Sequence, residues 1–194
     1  MKFVPIFANP NEIPLRGLYA VRYDDMPEDE NSWSQFFDAL SDSEFRRDFM
    51  KARKEKWLTN GYWGTISVAD ASERALDEFL DITDELRDAY AKHTMEGFIA
   101  VLNEVFKPLN NYGGPNTLIP TKGKPVEPRE PWVRLYAVKV SENLFLFTGG
   151  TIKLGHYMDE DEATQKEQSK LNRLRDCLKA EGMYDEEAYT ELEL

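Results

Sequence analysis

Apolar residues recur at helical spacing between residues 32 and 106 and predict four helices there. Ser41 and Glu44 fit a capping box for the second helix, which we expect to continue through Trp57 to a stop at Asn60-Gly61. Asp70 with Glu73 begins the third. The predicted helical faces carry the following residues: Trp33, Phe36, Phe37 and Leu40; Phe45, Phe49, Ala52 and Trp57; Ala75, Phe79, Ile82, Leu86 and Tyr90; Met95, Phe98, Ile99, Leu102, Val105 and Phe106. We interpret these stripes as a helix-on-helix core.

Two parts of the chain show the composition of strands. Residues 2–8 and 17–23 read as short strands, and Pro5 predicts that the first is irregular or at a sheet edge. Residues 132–140 and 144–148 are rich in β-branched and aromatic residues, and three polar residues separate them. This pattern predicts a β-hairpin, extended to about residue 154, with a bulge or bend at Gly149-Gly150.

A polar helix is predicted after the hairpin. Asp159 with Glu162 would cap it, Ala163, Leu171, Leu174 and Leu178 would form its apolar face, and Gly182 would end it. Residues 107–131, rich in Pro, Gly, Asn and Lys, are predicted to be a loop, and residues 182–194 an acidic tail.

These elements predict an α+β fold. We expect a small antiparallel sheet, built from the hairpin at about 132–154 and the N-terminal strands, with several covering helices. Strands at both ends of the chain need each other, so residues 1–194 are predicted to form one domain. Within it, residues 1–106 form a strand and helical N-terminal extension, 107–131 a loop, and 132–181 the hairpin and last helix.

Charge is unevenly distributed along the 194 residues, whose formal net charge is -12. Residues 24–104 carry -11 and residues 159–194 carry -7, whereas residues 105–158 carry +4 and residues 1–23 carry +2. The overall balance excludes a basic nucleic-acid coat. The apolar runs are too short for a membrane span and no secretory signal is visible, so we expect a cytoplasmic protein with no membrane partner.

Familiar catalytic and cofactor motifs are missing. The sequence contains no P-loop, G-x-G-x-x-G, H-E-x-x-H or G-x-S-x-G pattern. Two histidines lie 63 residues apart, and Cys177 is the one cysteine. We therefore expect no metal site and no cofactor, and we interpret Cys177 as a packing residue of the last helix.

The basic block around the hairpin carries the candidate chemistry. Strand periodicity places Arg134 and Tyr136 on one face and Lys139 on the other, and Lys153, His156 and Tyr157 follow the hairpin. Such groups can bind a phosphodiester, stabilise charge on phosphorus and move protons, which suffices for metal-independent RNA cleavage. The structural alternative is that Arg134 and Lys139 only solvate the sheet.

The chain contains, in this order, helices, a Pro/Gly-rich connector, segments 134–140 (RLYAVKV) and 144–154 (LFLFTGGTIKL), and a polar helix. Over roughly residues 98–180 this order resembles the RelE/HigB-like toxin family. It also resembles uncharacterised bacterial proteins encoded beside helix-turn-helix regulators. The resemblance implies an endoribonuclease that acts on RNA, free or at the ribosome, and an antitoxin or helix-turn-helix regulator as partner.

Carried over by position, the resemblance implies that Arg134 binds the scissile phosphate and that Lys153 adds electrostatic stabilisation. His156 or Tyr157 would transfer protons, and Tyr136 would stack on a base. Lys139 and Arg129 are further candidates for binding the substrate. The chain departs from the family in its length, its acidity and its single lysine after Ile152. A degenerate relative without catalysis therefore stays open.

Two other functions fit the same sequence. A non-catalytic interaction or accessory protein would expose an aromatic patch, for which Trp33, Trp57, Tyr62 and Trp63 are candidates. An acidic decoy that mimics nucleic acid would use the carboxylates of residues 24–104. The endoribonuclease hypothesis predicts instead that Arg134, Lys139, Lys153 and His156 converge on one concave positive patch.

Overall fold

The structure is a computed structural model that describes residues 1–59, 66–109, 118–125, 131–155 and 161–183. Its strands are β1 (Lys2–Ala8), β2 (Gly17–Arg22), β3 (Lys107–Pro108), β4 (Ile119–Gly123), β5 (Val133–Lys139) and β6 (Leu144–Ile152). Its helices are α1 (Ser32–Ser41), α2 (Ser43–Ala52), α3 (Lys54–Thr59), α4 (Val68–Lys92), α5 (Met95–Val105) and α6 (Glu162–Ala180). The predicted α+β class is confirmed.

The strands form one sheet in the order β1-β2-β6-β5-β4-β3. The β5–β6 hairpin is confirmed, and β1 lies at an edge with a register shift between Pro5 and Phe7, as Pro5 predicts. The sheet is mixed rather than wholly antiparallel, because β2 pairs parallel to β6. The helices between β2 and β6 in the chain provide the long crossover that a parallel pair requires.

The sheet separates two apolar layers. On one face, Leu135, Ala137 and Phe147 pack with residues of α1, α2, α4 and α5. On the other, Tyr136 and Val138 join a smaller layer with the leucines of α6. The two faces follow from the two-residue period of β5 and β6.

Several predicted boundaries are wrong by a few residues. Asp42, not Ser41, caps α2, because its carboxylate accepts from the backbone N–H groups of Glu44 and Phe45. The second helix does not run unbroken to Trp57 but ends at Ala52, and α3 follows. Ser67 rather than Asp70 caps α4, because its hydroxyl accepts from the Asp70 N–H.

The region 107–131, predicted to be a loop, contains strands β3 and β4. Strand β4 pairs with β5 along its length, so the sheet extends two strands further than the hairpin and N-terminal strands alone. Propensity missed β4 because its sequence IPTKG contains Pro and Gly. The predicted cap of α6 is also wrong: Asp161 rather than Asp159 caps it, because its carboxylate accepts from the Ala163 N–H. Asn60-Gly61, Asp159 itself and residues 184–194 of the predicted tail lie outside the described residues.

No helix within the described ranges is both long enough and apolar enough to cross a membrane.

Candidate functional site

A β-bulge in β6 places Gly149, which has no side chain, against α6. Tyr136 pairs with Gly149 and Ala137 pairs with Phe147, so Thr148 is the extra residue. Gly149 has a φ of 153°, a conformation that favours glycine. A Cβ at this position would overlap the carboxylate oxygen Oε2 of Glu167. The predicted bulge is thus confirmed, and its glycine leaves room for a side chain from α6.

Glu167 stands where the apolar stripe of α6 continues toward its N-terminus. Leu171, Leu174 and Leu178 are buried at helical spacing, and Glu167, one turn before Leu171, is buried on the same stripe. Sequence analysis missed this residue, although a carboxylate in line with three leucines, combined with paired glycines in a strand, is the pattern of a close polar approach.

The Glu167 carboxylate is only half satisfied. Lys170 Nζ donates to Oε1 at 2.7 Å, whereas Oε2 accepts no hydrogen bond within the described part of the chain. Burial raises the pKa of Glu167, although Lys170 opposes this effect. A buried polar atom without a partner is costly, so it is a reason to look for a site beside it.

Glu167 lines a cleft of about 470 Å³ between α2 and α6, which we call the α2–α6 cleft. A second hollow of about 200 Å³ beside α1 shares Phe45, Gly150, Thr151 and Lys170 with it. The volume of the α2–α6 cleft is in the range of small-molecule sites. The cleft is lined by Phe45, Asp48, Phe49, Arg53, Gly150, Thr151, Glu162, Ala163, Lys166, Glu167 and Lys170.

An ion-pair cluster at Asp161 joins the two helices of the cleft. Asp161 caps α6 and accepts hydrogen bonds from Arg53 at 2.8 Å and from Lys56 at 2.9 Å. Although burial opposes ionisation, these hydrogen bonds lower the pKa of Asp161 to about 2. The Arg53 guanidinium also lies 3.9 Å from the centre of the Phe49 ring. The cluster therefore fixes α6 to α2 and α3.

In the Glu167–Lys170 and Asp161–Arg53 ion pairs, the positive side chain is more exposed to solvent than the carboxylate. The side chains of Lys170 and Arg53 are 37% and 21% exposed, whereas those of Glu167 and Asp161 are 6% and 7% exposed. Lys166 is exposed and forms no ion pair with any described residue. Asp48 and Glu162 are exposed carboxylates at the rim. A molecule that enters the cleft therefore meets ammonium groups whose counterions lie behind them.

The structure does not bring Arg134 and Lys139 together. Arg134 is 3% exposed and donates to the carbonyls of Pro131 and Val133. Lys139 lies on the opposite face, where it donates to Asn103 at 2.7 Å and to Glu142 at 2.8 Å. The alternation predicted for these residues is therefore seen, and it prevents them from meeting at one phosphate.

The other candidate ribonuclease residues do not add a site. Tyr136 is 1% exposed under α6, so it has no free face for a base, and burial raises the pKa of its hydroxyl. Lys153 is half-buried, and its backbone N–H donates to the Trp132 carbonyl at 2.8 Å. His156, Tyr157 and Arg129 lie outside the described residues.

The aromatic patch expected of an interaction protein is not seen at Trp33. This ring packs edge-on against Phe7 at 5.8 Å and Phe147 at 5.1 Å and lies partly buried against the core. Tyr62 and Trp63 lie outside the described residues, as does the side chain of Trp57. No group of three or more His, Cys, Asp or Glu suited to a metal is found among the described residues.

No family model, curated protein or solved structure matches the chain. The α2–α6 cleft is therefore interpreted from its own geometry.

Proposed function

We propose that the protein binds a small anionic molecule with an apolar body in the α2–α6 cleft. The observation that carries this proposal is the charge arrangement described above, in which buried carboxylates hold a partly exposed ammonium group and a partly exposed guanidinium group at a cleft large enough for a small molecule. The endoribonuclease hypothesis is not taken further, because Arg134 and Lys139 lie on opposite faces of the sheet.

Each part of the cleft has a role in this proposal. Lys166 and Lys170 contact the anionic group, because an ammonium group binds carboxylate, sulfonate or phosphate oxygens without a fixed geometry. Phe45 and Phe49 form the apolar wall, and the Thr151 hydroxyl, which has no partner among the described residues, is available to a polar atom of the ligand. Gly150 also lines the cleft, and the Phe36 ring occupies the space that a side chain at this position would need.

The net charge of the protein does not oppose this site. Charges farther from the ligand than about 8 Å are largely screened at physiological ionic strength. The nearest charges therefore decide the local potential, and those lining the cleft are Arg53, Lys166 and Lys170 on one side and Asp48, Glu162 and Glu167 on the other.

Calorimetric titration with three one-ring probes tests the proposal. Benzoate and benzenesulfonate are anions, and benzamide is their neutral counterpart. We expect both anions to bind and benzamide not to bind. Lys166→Ala and Phe45→Ala should each weaken the affinity about fivefold, which is the effect of roughly 1 kcal/mol.

The chain offers a matched control for each variant. Lys51→Ala removes an exposed lysine of α2 outside the cleft, and Phe37→Ala removes a ring that is 38% exposed against 41% for Phe45. Both controls should bind as the wild type does. Failure of both anions to bind, or equal losses in the control variants, would overturn the proposal.

A further inference from the structure

The Glu167–Lys170 pair lies where a bound anion would compete with it. Lys170 borders both hollows, and its ammonium group is held 2.7 Å from Glu167 Oε1. A ligand anion in the cleft offers Lys170 a second acceptor. A lysine side chain reorients easily, because its ammonium group sits on a flexible four-carbon stem.

Glu167 cannot follow Lys170 toward the ligand. Its carboxylate is packed against the backbone of Gly149, where no Cβ would fit, and Oε2 is inaccessible to solvent. When Lys170 hydrogen-bonds the ligand, Glu167 therefore loses the one described group that hydrogen-bonds its side chain. A buried carboxylate in that state is stabilised by a proton.

The other groups that face Glu167 do not replace Lys170. Tyr23 and Tyr136 are buried phenols whose raised pKa keeps them neutral. Arg53, which follows α2, is engaged by Asp161, and Asp48 of α2 carries the same charge sign as Glu167. Burial raises the pKa of Glu167 even with Lys170 in place.

We propose that the α2–α6 cleft takes up a small anion together with one proton, which Glu167 accepts as Lys170 turns to the ligand. This inference rests on the proposed function. In the exchange, the hydrogen bond from Lys170 Nζ to Glu167 Oε1 breaks and one from Nζ to the ligand forms. A proton from solvent binds the carboxylate, so the charge brought by the anion is balanced.

The proton uptake makes binding depend on pH. Linkage requires affinity to rise as pH falls wherever the complex holds more protons than the free protein. For one proton, the affinity should fall about tenfold per pH unit over the range in which Glu167 is ionised in the free protein and protonated in the complex.

Calorimetry with benzenesulfonate tests this inference, since the charge of this probe does not change between about pH 5 and pH 8. Titrations in two buffers of different ionisation enthalpy count the protons taken up. The wild type should take up close to one proton per anion at pH values where Glu167 is ionised in the free protein and protonated in the complex. Glu167→Gln should bind benzenesulfonate with no proton uptake and no pH slope, because its amide cannot titrate.

A second variant tests the exchange itself. Lys170→Met should bind more weakly and take up no proton, since Glu167 then has no partner to lose. Circular dichroism and urea unfolding establish that each variant is folded. Binding by the wild type without proton uptake would overturn this inference alone, whereas no binding at any pH would overturn the proposed function.

Discussion

Two buried glutamates, Glu78 on α4 and Glu167 on α6, differ in how their carboxylates are satisfied. Arg74 donates to Oε1 of Glu78 at 2.7 Å, and the backbone N–H groups of Trp132 and Val133 donate to its Oε2 at 2.5 and 2.9 Å. Glu167 has Lys170 on one oxygen and no described partner on the other. Burial raises the pKa of both.

The difference separates a structural carboxylate from one available for function. Glu78 joins α4 to the first residue of β5. Its carboxylate accepts hydrogen bonds from Arg74 on its own helix and from the backbone of Trp132 and Val133. Glu167 lines a cleft, and its one partner also borders that cleft. A raised pKa alone therefore does not distinguish a functional carboxylate from a structural one. The hydrogen-bond partners of each carboxylate oxygen make this distinction.

The largest effect should follow from Glu78→Ala. This change leaves the backbone N–H groups of Trp132 and Val133 unpaired in the core, and we expect a loss of about 3–5 kcal/mol in the free energy of unfolding. Urea unfolding measures it. Glu85→Ala on the exposed side of α4 is the control and should change stability by less than about 0.5 kcal/mol. A loss no larger than that of the control would show that Glu78 is not a structural link.

Gly149→Ala should have the next largest effect, about 3 kcal/mol, because the new methyl group meets both an unfavourable φ and the Glu167 carboxylate. Gly182→Ala is the matched control, since Gly182 has a φ of 74° and open space around it. Its cost should be only the backbone part, about 1 kcal/mol.

The part due to Glu167 can be isolated with a double-mutant cycle. In a Glu167→Ala background the overlap disappears, so Gly149→Ala should cost at least about 1 kcal/mol less than in the wild type. Additive losses would contradict the packing of Glu167 on Gly149.

Local pattern was enough to predict the elements but not the site. The hairpin and the helical stripes follow from spacing that each segment contains by itself. The candidate cleft depends on which helix crosses which strand. Glu167 on the leucine stripe of α6 indicates a polar contact, but the stripe does not specify the strand that the helix meets. Gly149-Gly150 predicts a bulge, but the side chain that packs on Gly149 belongs to Glu167, 18 residues further along the chain.

The ribonuclease hypothesis shows that residues close in sequence need not form one site. The basic residues of segment 134–153 are close in sequence, yet strand alternation sends Arg134 and Lys139 to different faces. The parallel pairing of β2 with β6 was also beyond local reasoning, because it depends on a crossover of more than 100 residues.

The smallest effect, and one of opposite sign, is expected for Glu167→Leu. This change continues the leucine stripe of α6, removes a half-satisfied buried carboxylate and releases Lys170 to solvent. We expect a gain of about 1 kcal/mol in the free energy of unfolding at neutral pH, measured in urea. A loss comparable to that of Glu78→Ala would contradict the contrast between the two glutamates.

The pH dependence of this gain has a defined sign. Because the pKa of Glu167 is raised in the folded state, the folded wild type holds its proton at pH values where the unfolded chain has released it. The stability that the wild type derives from this proton is complete below the ordinary glutamate range and is lost as pH rises through the folded pKa. The advantage of Glu167→Leu should therefore grow with pH across that window and level off above it. An advantage that stays constant between about pH 4 and pH 8 would show that Glu167 does not titrate differently in the folded and unfolded states.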